Sequence, residues 1–194
     1  MSQLAPLTKR LYLTAALIST LCVVLFYADL ADQLAFRRDL ITEGQWWRLL
    51  TGNFLHTNDW HLLMNLAGLW VILLLHEQHY SATSLSVLVL SLGCMQGLGL
   101  LLFFPDTFGY VGLSGLLHGI FVFGAVMDTT KGFKIGYLLT LGVIAKVLYE
   151  QWFGASTELT ALINATVATE AHLVGLLSGF ICLAPMLVCK RMKK

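Results

Sequence analysis

A serine and a histidine are the residues of this sequence best suited to covalent chemistry. Ser114 lies in the run GLSG and His172 in the run AHLVG, and each opens a long apolar stretch. A serine hydroxyl becomes a nucleophile when a neighbouring imidazole takes its proton. The two residue types therefore predict acyl transfer, with Ser114 as the nucleophile and His172 as the general base.

Spacing along the chain indicates no acidic third member for this pair. Glu170 lies two residues before His172, which places it on another face of a helix. Lys146 and Glu150 are four residues apart, and we interpret them as an ion pair whose side chains reach toward the membrane interface. The sequence therefore predicts a Ser/His dyad.

Two other polar residues could stabilise the oxyanion of such a reaction. His61 and Asn65 are four residues apart and so share one helix face. Their side chains, together with the backbone N–H of Ser114 and the positive end of its helix, are suitable hydrogen-bond donors and dipoles for a developing negative charge.

Glycines four residues apart accompany both the serine and the histidine. Gly115 and Gly119 follow the serine, and Gly175 and Gly179 follow the histidine. Small residues at this spacing let two helix backbones approach closely. We expect the two helices to pack through these glycines, which brings the serine beside the histidine.

The elements that position these residues must be membrane helices. Hydrophobic residues make up 57% of the 194 residues and charged residues 12%, with a mean hydropathy of +0.76. A soluble domain is about a quarter charged, so soluble globular and disordered classes are excluded. The net charge of +1 provides no basic surface for nucleic acid. We predict an all-α membrane protein whose solvent is the lipid bilayer.

A membrane span needs about 20 mostly apolar residues, and six runs approach that length. They are approximately 11–28, 61–76, 84–104, 113–127, 133–151 and 170–189. We interpret the first as an uncleaved span, since no small-residue cleavage site follows it. The segment 29–60 is rich in tryptophan and leucine, and we expect it to lie half-sunk at the outer interface. The prediction is one domain over 1–194, a six-helix bundle.

Basic residues in the short connections predict the orientation. They precede the first span, separate the fourth from the fifth, and end the chain: Lys9, Arg10, Lys131, Lys134, Lys190, Arg191, Lys193 and Lys194. The positive-inside rule places these segments, and both termini, in the cytoplasm. Spans 2, 4 and 6 then begin at the outer face, so the candidate site opens to the extracytoplasmic side of an inner membrane.

Four motifs in order resemble those of the rhomboid family of intramembrane serine proteases, over about residues 45–185. They are Trp47-Arg48, His56-x4-His61-x3-Asn65, Gly112-x-Ser114-Gly115 and Ala171-His172-x2-Gly175-x3-Gly179. The resemblance implies a rhomboid-like six-helix bundle that cleaves membrane-anchored proteins. It implies a nucleophilic Ser114, a basic His172 and an oxyanion site at His61 and Asn65. It also implies structural roles for Trp47, Arg48 and His56, with Gly112 and the paired glycines supporting the site.

One residue departs from the pattern of many rhomboids. A tyrosine four residues after the serine packs on the catalytic histidine there, and His118 takes its place here. The run GLSGLLHG is similar to that of the rhombosortase branch. That resemblance implies substrates with a C-terminal sorting tail, made of a Gly-Gly motif, an apolar helix and basic residues. His118 is either a packing ring or a hydrogen-bonding partner of His172 or of the substrate.

Other functions remain as alternatives. These are a general rhomboid protease with other single-span substrates, and a catalytically inactive rhomboid-like binding factor. A metalloprotease is disfavoured, because His-Glu-x-x-His is absent and His76 and His79 are three residues apart on the cytoplasmic side. The four cysteines form neither a Cys-x-x-Cys pair nor a zinc spacing, and we expect no cofactor. The sequence carries no signal for an oligomeric state.

Overall fold

A computed structural model describes residues 6–191, and the side chains from 8 to 184. In chain order the helices are α1 (Pro6–Tyr27), α2 (Ala31–Leu34), α3 (Arg38–Thr42), α4 (Arg48–Thr51), α5 (Asp59–His76), α6 (Ala82–Phe103), α7 (Ser114–Thr130), α8 (Ile135–Phe153), α9 (Thr157–Ile163) and α10 (Thr169–Arg191). Single turns of 3₁₀ helix follow α4 and α5, at Gly52–Phe54 and Glu77–His79. Two short strands, β1 (Phe36–Arg37) and β2 (Gly109–Tyr110), pair antiparallel.

Each predicted apolar run falls on one of the long helices α1, α5, α6, α7, α8 and α10. Within the described residues, three segments are long and apolar enough to cross a membrane: Thr8–Tyr27, Asp59–His79 and Ala82–Phe103. Thr169–Ala184 is apolar but shorter, and α7 has 17 residues. The chain is thus an integral membrane protein built mostly of helices.

Local hydrogen bonds explain where several of these helices begin. The side chain of Asn58 accepts the His61 N–H at 2.9 Å and caps α5. Ser81 and Ser84 form a reciprocal capping box at the start of α6. Such caps satisfy N–H groups that have no partner within the helix. The first of them orients the helix that carries the two predicted oxyanion residues.

The segment between α1 and α5 is folded rather than a free loop. Its strand β1 places Phe36 opposite Tyr110. Arg38 follows that strand and donates to the Leu100, Leu101, Phe104 and Thr107 carbonyls, at 2.6 to 3.1 Å. These carbonyls lie at and just beyond the end of α6, where no N–H group of the helix is available to donate to them. The segment is therefore tied to the loop that precedes the candidate nucleophile.

Arg48 is the buried centre of this segment. Its guanidinium donates to the carbonyls of Ala35 at 2.8 Å and Asp32 at 2.7 Å, and to the side chain of Gln45 at 2.7 Å. The indole of Trp47 is half exposed and donates to the Gln33 carbonyl at 3.1 Å. These contacts hold the segment together while Trp47 itself stays half exposed.

The close packing predicted between the fourth and sixth runs is confirmed. A Cβ built at Gly175 would overlap the carbonyl of Gly115, and one built at Gly119 would lie 2.8 Å from the Gly175 carbonyl. A Cβ at Gly179 would lie 2.6 Å from the Gly119 carbonyl. Helices α7 and α10 therefore touch backbone to backbone, a contact that any side chain would separate.

The end of the bundle opposite Ser114 has its own polar cluster. Asp128 lies 2.9 Å from His76 Nδ1 and 2.6 Å from His79 Nε2. At 1.5 Å per residue it is about 21 Å along α7 from Ser114. The His76–His79 pair therefore lies away from the candidate site and ties α5 to α7.

Lys190, Arg191, Lys193 and Lys194 lie outside the residues whose side chains are described. Among the cysteines, Cys22, Cys94 and Cys182 are free thiols. The side chain of Cys189 falls outside the described part.

Candidate active site

A sharp turn places Ser114 at the first position of α7. Gly112, two residues earlier, has φ of +132°, a conformation that side chains rarely allow. A Cβ at Gly112 would lie 2.8 Å from His61 Nε2, so a glycine here also lets that imidazole approach the turn. The Tyr110 hydroxyl donates to the Gly112 carbonyl. Burial raises the pKa of Tyr110 to about 12, so the phenol keeps its proton for this bond.

Ser114 Oγ lies 2.9 Å from His172 Nε2. His172 is buried on α10, and the glycine contact between α7 and α10 brings the two side chains together. The serine also lies at the N-terminus of α7, a helix of 17 residues, where the helix dipole has its positive end. The structure thus joins the predicted nucleophile and base across 58 residues of sequence.

An acidic side chain meets the other nitrogen of this histidine. Glu150 Oε2, on α8, lies 2.8 Å from His172 Nδ1, and the Glu150 side chain is only 8% exposed. The expectation that no acidic residue reaches the pair was wrong. It compared residues along one helix, whereas Glu150 comes from a neighbouring helix 22 residues away in sequence. Glu170 faces elsewhere, as predicted, and accepts a bond from Thr107 at 2.9 Å.

The predicted ion pair between Lys146 and Glu150 forms, but its position differs from the prediction. Lys146 Nζ lies 2.9 Å from Glu150 Oε2 and 2.8 Å from His118 Nε2. Glu150 is buried, so the pair faces His172 instead of reaching the interface. Of the two side chains, only that of Lys146, which is 46% exposed, reaches the surface of the bundle.

His118 stacks on the candidate base. The rings of His118 and His172 have centroids 4.3 Å apart and planes inclined by 25°. His118 Nδ1 lies 2.8 Å from the Ser114 carbonyl, an oxygen that can only accept. Of the two roles predicted for His118, the packing contact is present. Its hydrogen bonds go to Lys146 and the Ser114 backbone rather than to His172.

The two predicted oxyanion residues are both buried, and His61 lies against the turn that precedes Ser114. The N–H of Thr57 donates to His61 Nδ1 at 3.3 Å, which leaves the proton of a neutral imidazole on Nε2, the nitrogen that faces Gly112. The amide nitrogen of Asn65 is buried and has no hydrogen-bond partner. A buried donor without a partner is costly, so this amide is suited to an acceptor that arrives with the substrate.

His56 lies behind His61. The two rings meet edge to face, with centroids 5.1 Å apart. Burial, together with the neighbouring His61, lowers the pKa of His56 to about 3. His56 is therefore uncharged at neutral pH, and it packs against the imidazole that faces the turn.

A cavity of about 400 Å³ lies above Ser114 and His61. It is lined on one side by Tyr110 and Val111, and on the other by the segment 163–168 that follows α9. The hydroxyl of Thr57 donates to the Ile163 carbonyl at 2.6 Å, and the amide of Asn58 donates to the Leu162 carbonyl at 2.8 Å. These two bonds hold that segment against the start of α5.

A second space reaches Ser114 from the side. This groove, of about 480 Å³, runs between α5 and α8 over the surface of α7. Its walls are apolar except at its inner end, where Ser114, His118 and Lys146 lie. The side chain of Leu138 on its α8 wall is 66% exposed. The groove is thus an apolar route from the surface of the bundle to the serine.

One group of side chains has donor atoms close enough together to hold a metal ion, among the residues that the structure describes. These are His118, Glu150 and His172, whose donor atoms lie within 4.8 Å of one another. The Lys146 ammonium lies 2.8 to 3.4 Å from the same three side chains. The positively charged ammonium of Lys146 thus already contacts the three side chains that a metal ion would use.

Sequence reasoning missed several residues around the serine. Lys146 and Glu150 carried a usable signal, because charged residues inside an apolar run are functional candidates by default. Thr57 and Tyr110 carried none, since each acts through a contact that only the fold creates. Gln96 on α6 is also fully buried here, and a Cβ at Gly115 would collide with its side-chain oxygen.

The sequence is similar to proteins of one known family. The model of the Rhomboid domain matches residues 43–189. The chain is 26% identical over 181 residues to YdcA of Bacillus subtilis (strain 168), which is assigned to the rhomboid proteases, covering 89% of this chain and 87% of that protein. It is 27% identical over 154 residues to rhomboid protease GluP of the same strain, covering 78% of this chain and 28% of GluP. It is 28% identical over 181 residues to rhomboid protease GlpG of Yersinia enterocolitica, covering 93% of this chain and 62% of GlpG.

Proposed function

This chain belongs to the rhomboid family of intramembrane serine proteases, and we propose that Ser114 is its nucleophile and His172 its general base. The observation that carries this assignment is the 2.9 Å contact between Ser114 Oγ and His172 Nε2. Because His172 Nδ1 lies 2.8 Å from a carboxylate oxygen, its proton is held there and Nε2 is free to accept.

The reaction proceeds by acyl transfer. Ser114 Oγ attacks the scissile carbonyl carbon while its proton moves to His172 Nε2, and the carbonyl oxygen becomes an oxyanion. The imidazolium then gives that proton to the leaving amine as the C–N bond breaks, which leaves an ester on Ser114. Water, deprotonated by the same imidazole, hydrolyses the ester and restores the serine.

The oxyanion is stabilised by three hydrogen-bond donors. Two are the side chains of His61 and Asn65, and the third is the backbone N–H of Ser114 at the start of α7. The partnerless amide of Asn65 and the orientation of His61 Nε2 support this role. Donors fixed in place before the reaction need no reorganisation when the charge develops.

Substrates are membrane-anchored proteins that reach the serine through the apolar groove between α5 and α8. A transmembrane segment in lipid keeps its backbone hydrogen bonds within its own helix, so it must unwind before a peptide bond can reach Ser114. The cavity above the serine supplies the room for an extended strand. The bundle that holds this site has six spans in a single domain, those of α1, α5, α6, α7, α8 and α10.

The active site opens to the extracytoplasmic side, with both termini in the cytoplasm of a bacterial cell. The charge distribution supports this orientation, since Lys9, Arg10, Lys131 and Lys134 lie at the membrane side opposite Ser114 in a six-span arrangement. Fusions of alkaline phosphatase and of a cytoplasmic fluorescent protein to residue 194 test it. We expect only the cytoplasmic reporter to be active, and phosphatase activity from the same junction would overturn the orientation.

The substrate class is the sorting-tail proteins that the rhombosortase-like run GLSGLLHG implies. A Gly-Gly motif beside an apolar helix is easy to unwind, because glycine costs about 1 kcal/mol per residue in a helix relative to alanine. Coexpression with a reporter that ends in a Gly-Gly motif, an apolar helix and basic residues tests this assignment. Loss of the tail should require Ser114.

The matched control is the same reporter with both glycines changed to leucine. Cleavage of both reporters would support a general rhomboid protease with other single-span substrates. Cleavage of neither, by a protein that also fails on other membrane-anchored reporters, would support an inactive binding factor.

A further inference from the structure

We infer that Glu150 is a positioning residue for this protease, completing a Ser114–His172–Glu150 relay, and that Lys146 and His118 close that relay into a hydrogen-bonded ring. This inference rests on the proposed roles of Ser114 and His172. It adds a carboxylate and a lysine from α8, which the expected dyad did not contain.

The donors and acceptors of the ring can be assigned one by one. A carboxylate accepts only and an ammonium donates only. The Glu150 oxygen therefore accepts from His172 Nδ1 at 2.8 Å and from Lys146 Nζ at 2.9 Å. His172 Nε2 then lacks a proton and accepts from Ser114 Oγ at 2.9 Å.

His118 links Lys146 back to Ser114 and so closes the hydrogen-bonded ring. Its Nδ1 must donate to the Ser114 carbonyl at 2.8 Å, because a carbonyl cannot donate. Its Nε2 therefore accepts from Lys146 Nζ at 2.8 Å. The 3.4 Å separation of Lys146 Nζ and His172 Nδ1 is a contact between two donors, which leaves the Nδ1 proton with Glu150. Every assignment in the ring agrees with an unprotonated Nε2 facing the serine.

The charges explain why both Glu150 and Lys146 are needed. A lone buried carboxylate carries a large desolvation cost, which a hydrogen-bonded partner of opposite charge offsets. Before the reaction, the charges of Glu150, Lys146 and a neutral His172 sum to zero. When His172 accepts the serine proton the sum becomes +1, and without Glu150 it would be +2, with the Lys146 ammonium only 3.4 Å from Nδ1 of the buried His172. The carboxylate thus stabilises the imidazolium and holds the productive tautomer.

The test compares single variants of the full-length protein in liposomes, with a membrane-anchored reporter peptide as substrate. Glu150→Gln keeps the size of the side chain and removes its charge. We expect kcat to fall on the order of 10²- to 10⁴-fold, as when the acid of a serine protease triad is replaced. KM should change little, because no substrate contact is removed. The acid limb of the kcat/KM profile should move to lower pH, a change that a merely structural role would not produce.

Glu170→Gln is the matched control. It removes an equal charge two residues from the base, on a carboxylate that bonds Thr107 instead, so it should leave kcat unchanged and move the pH profile much less than Glu150→Gln does. Lys146→Met should lower kcat less than Glu150→Gln, since it leaves the acceptor of the Nδ1 proton in place. Wild-type activity in Glu150→Gln, with Ser114→Ala inactive, would overturn the relay and leave the proposed function standing. An active Ser114→Ala would instead overturn the proposed function.

A measurement on the unaltered residues covers the case in which Glu150→Gln does not fold. In protein labelled with ¹⁵N-histidine, both His172 and His118 should carry their proton on Nδ1 near neutral pH, and both signals should persist in Ser114→Ala. A His172 with its proton on Nε2 would overturn the inference without any change to Glu150.

Discussion

The imidazole of His118 stacks on that of His172, with ring centroids 4.3 Å apart. One face of the candidate base is thus covered by a ring whose own nitrogens are both hydrogen-bonded. Packing and hydrogen bonding are therefore combined in one side chain, and substitutions can separate them.

His118→Phe keeps the stacked ring and removes both hydrogen bonds. Since a bond to a charged group contributes about 1.5 kcal/mol or more, we expect kcat to fall about tenfold or more in a protein that still folds. His118→Ala also removes the ring and should lower kcat further. Both values come from cleavage assays normalised to folded protein. An alanine variant with wild-type kcat would remove His118 from the site.

Ser114→Ala and His172→Ala should each abolish cleavage while the protein still inserts and folds. The double variant should be no slower than either single one, because the two residues act as one unit. Reporter cleavage and thermal unfolding, measured on the same preparations, check both parts. Substantial activity in Ser114→Ala would rule out the serine mechanism.

His61→Ala and Asn65→Ala should lower kcat by about 10²- to 10³-fold each, the usual cost of removing one oxyanion donor. Asn65→Ala should at the same time leave stability unchanged or improved, because its amide nitrogen has no partner in the free enzyme. Kinetics and melting curves of both variants test this split. An Asn65→Ala protein that is fully active and less stable would assign the amide to folding.

Gly175→Val should lose stability and activity together. Its added carbons would overlap the Gly115 backbone, which cannot move without separating Ser114 from His172. We therefore expect the free energy of unfolding to fall by about 3 kcal/mol, the upper end of the usual cost of overpacking. Gly142 on α8 is the control for stability, because nothing lies within 4 Å of a Cβ built there. Gly142→Ala should gain roughly 0.5–1 kcal/mol in the helix. Equal melting temperatures for Gly175→Val and the parent would refute the contact.

The sequence alone determined which segments form the long helices and which residue types could carry the reaction. Apolar runs give a strong signal in a membrane protein, because a spanning backbone must satisfy its hydrogen bonds internally. The positions of Ser114 and His172 at helix starts, and the glycines that bring the helices together, were also evident. These features depend on spacings of three and four residues, which a helix converts directly into a shared face.

The tertiary structure decided which side chains complete the site. Glu150 and Lys146 looked like a pair reaching for the interface, and only the packing of α8 beside α10 turns the carboxylate toward His172. The rotation and tilt of a membrane helix are set by its neighbours and not by its own hydropathy. Contacts between residues far apart in sequence, such as Glu150 with His172, therefore have no local pattern, and they appear only once the helices are packed.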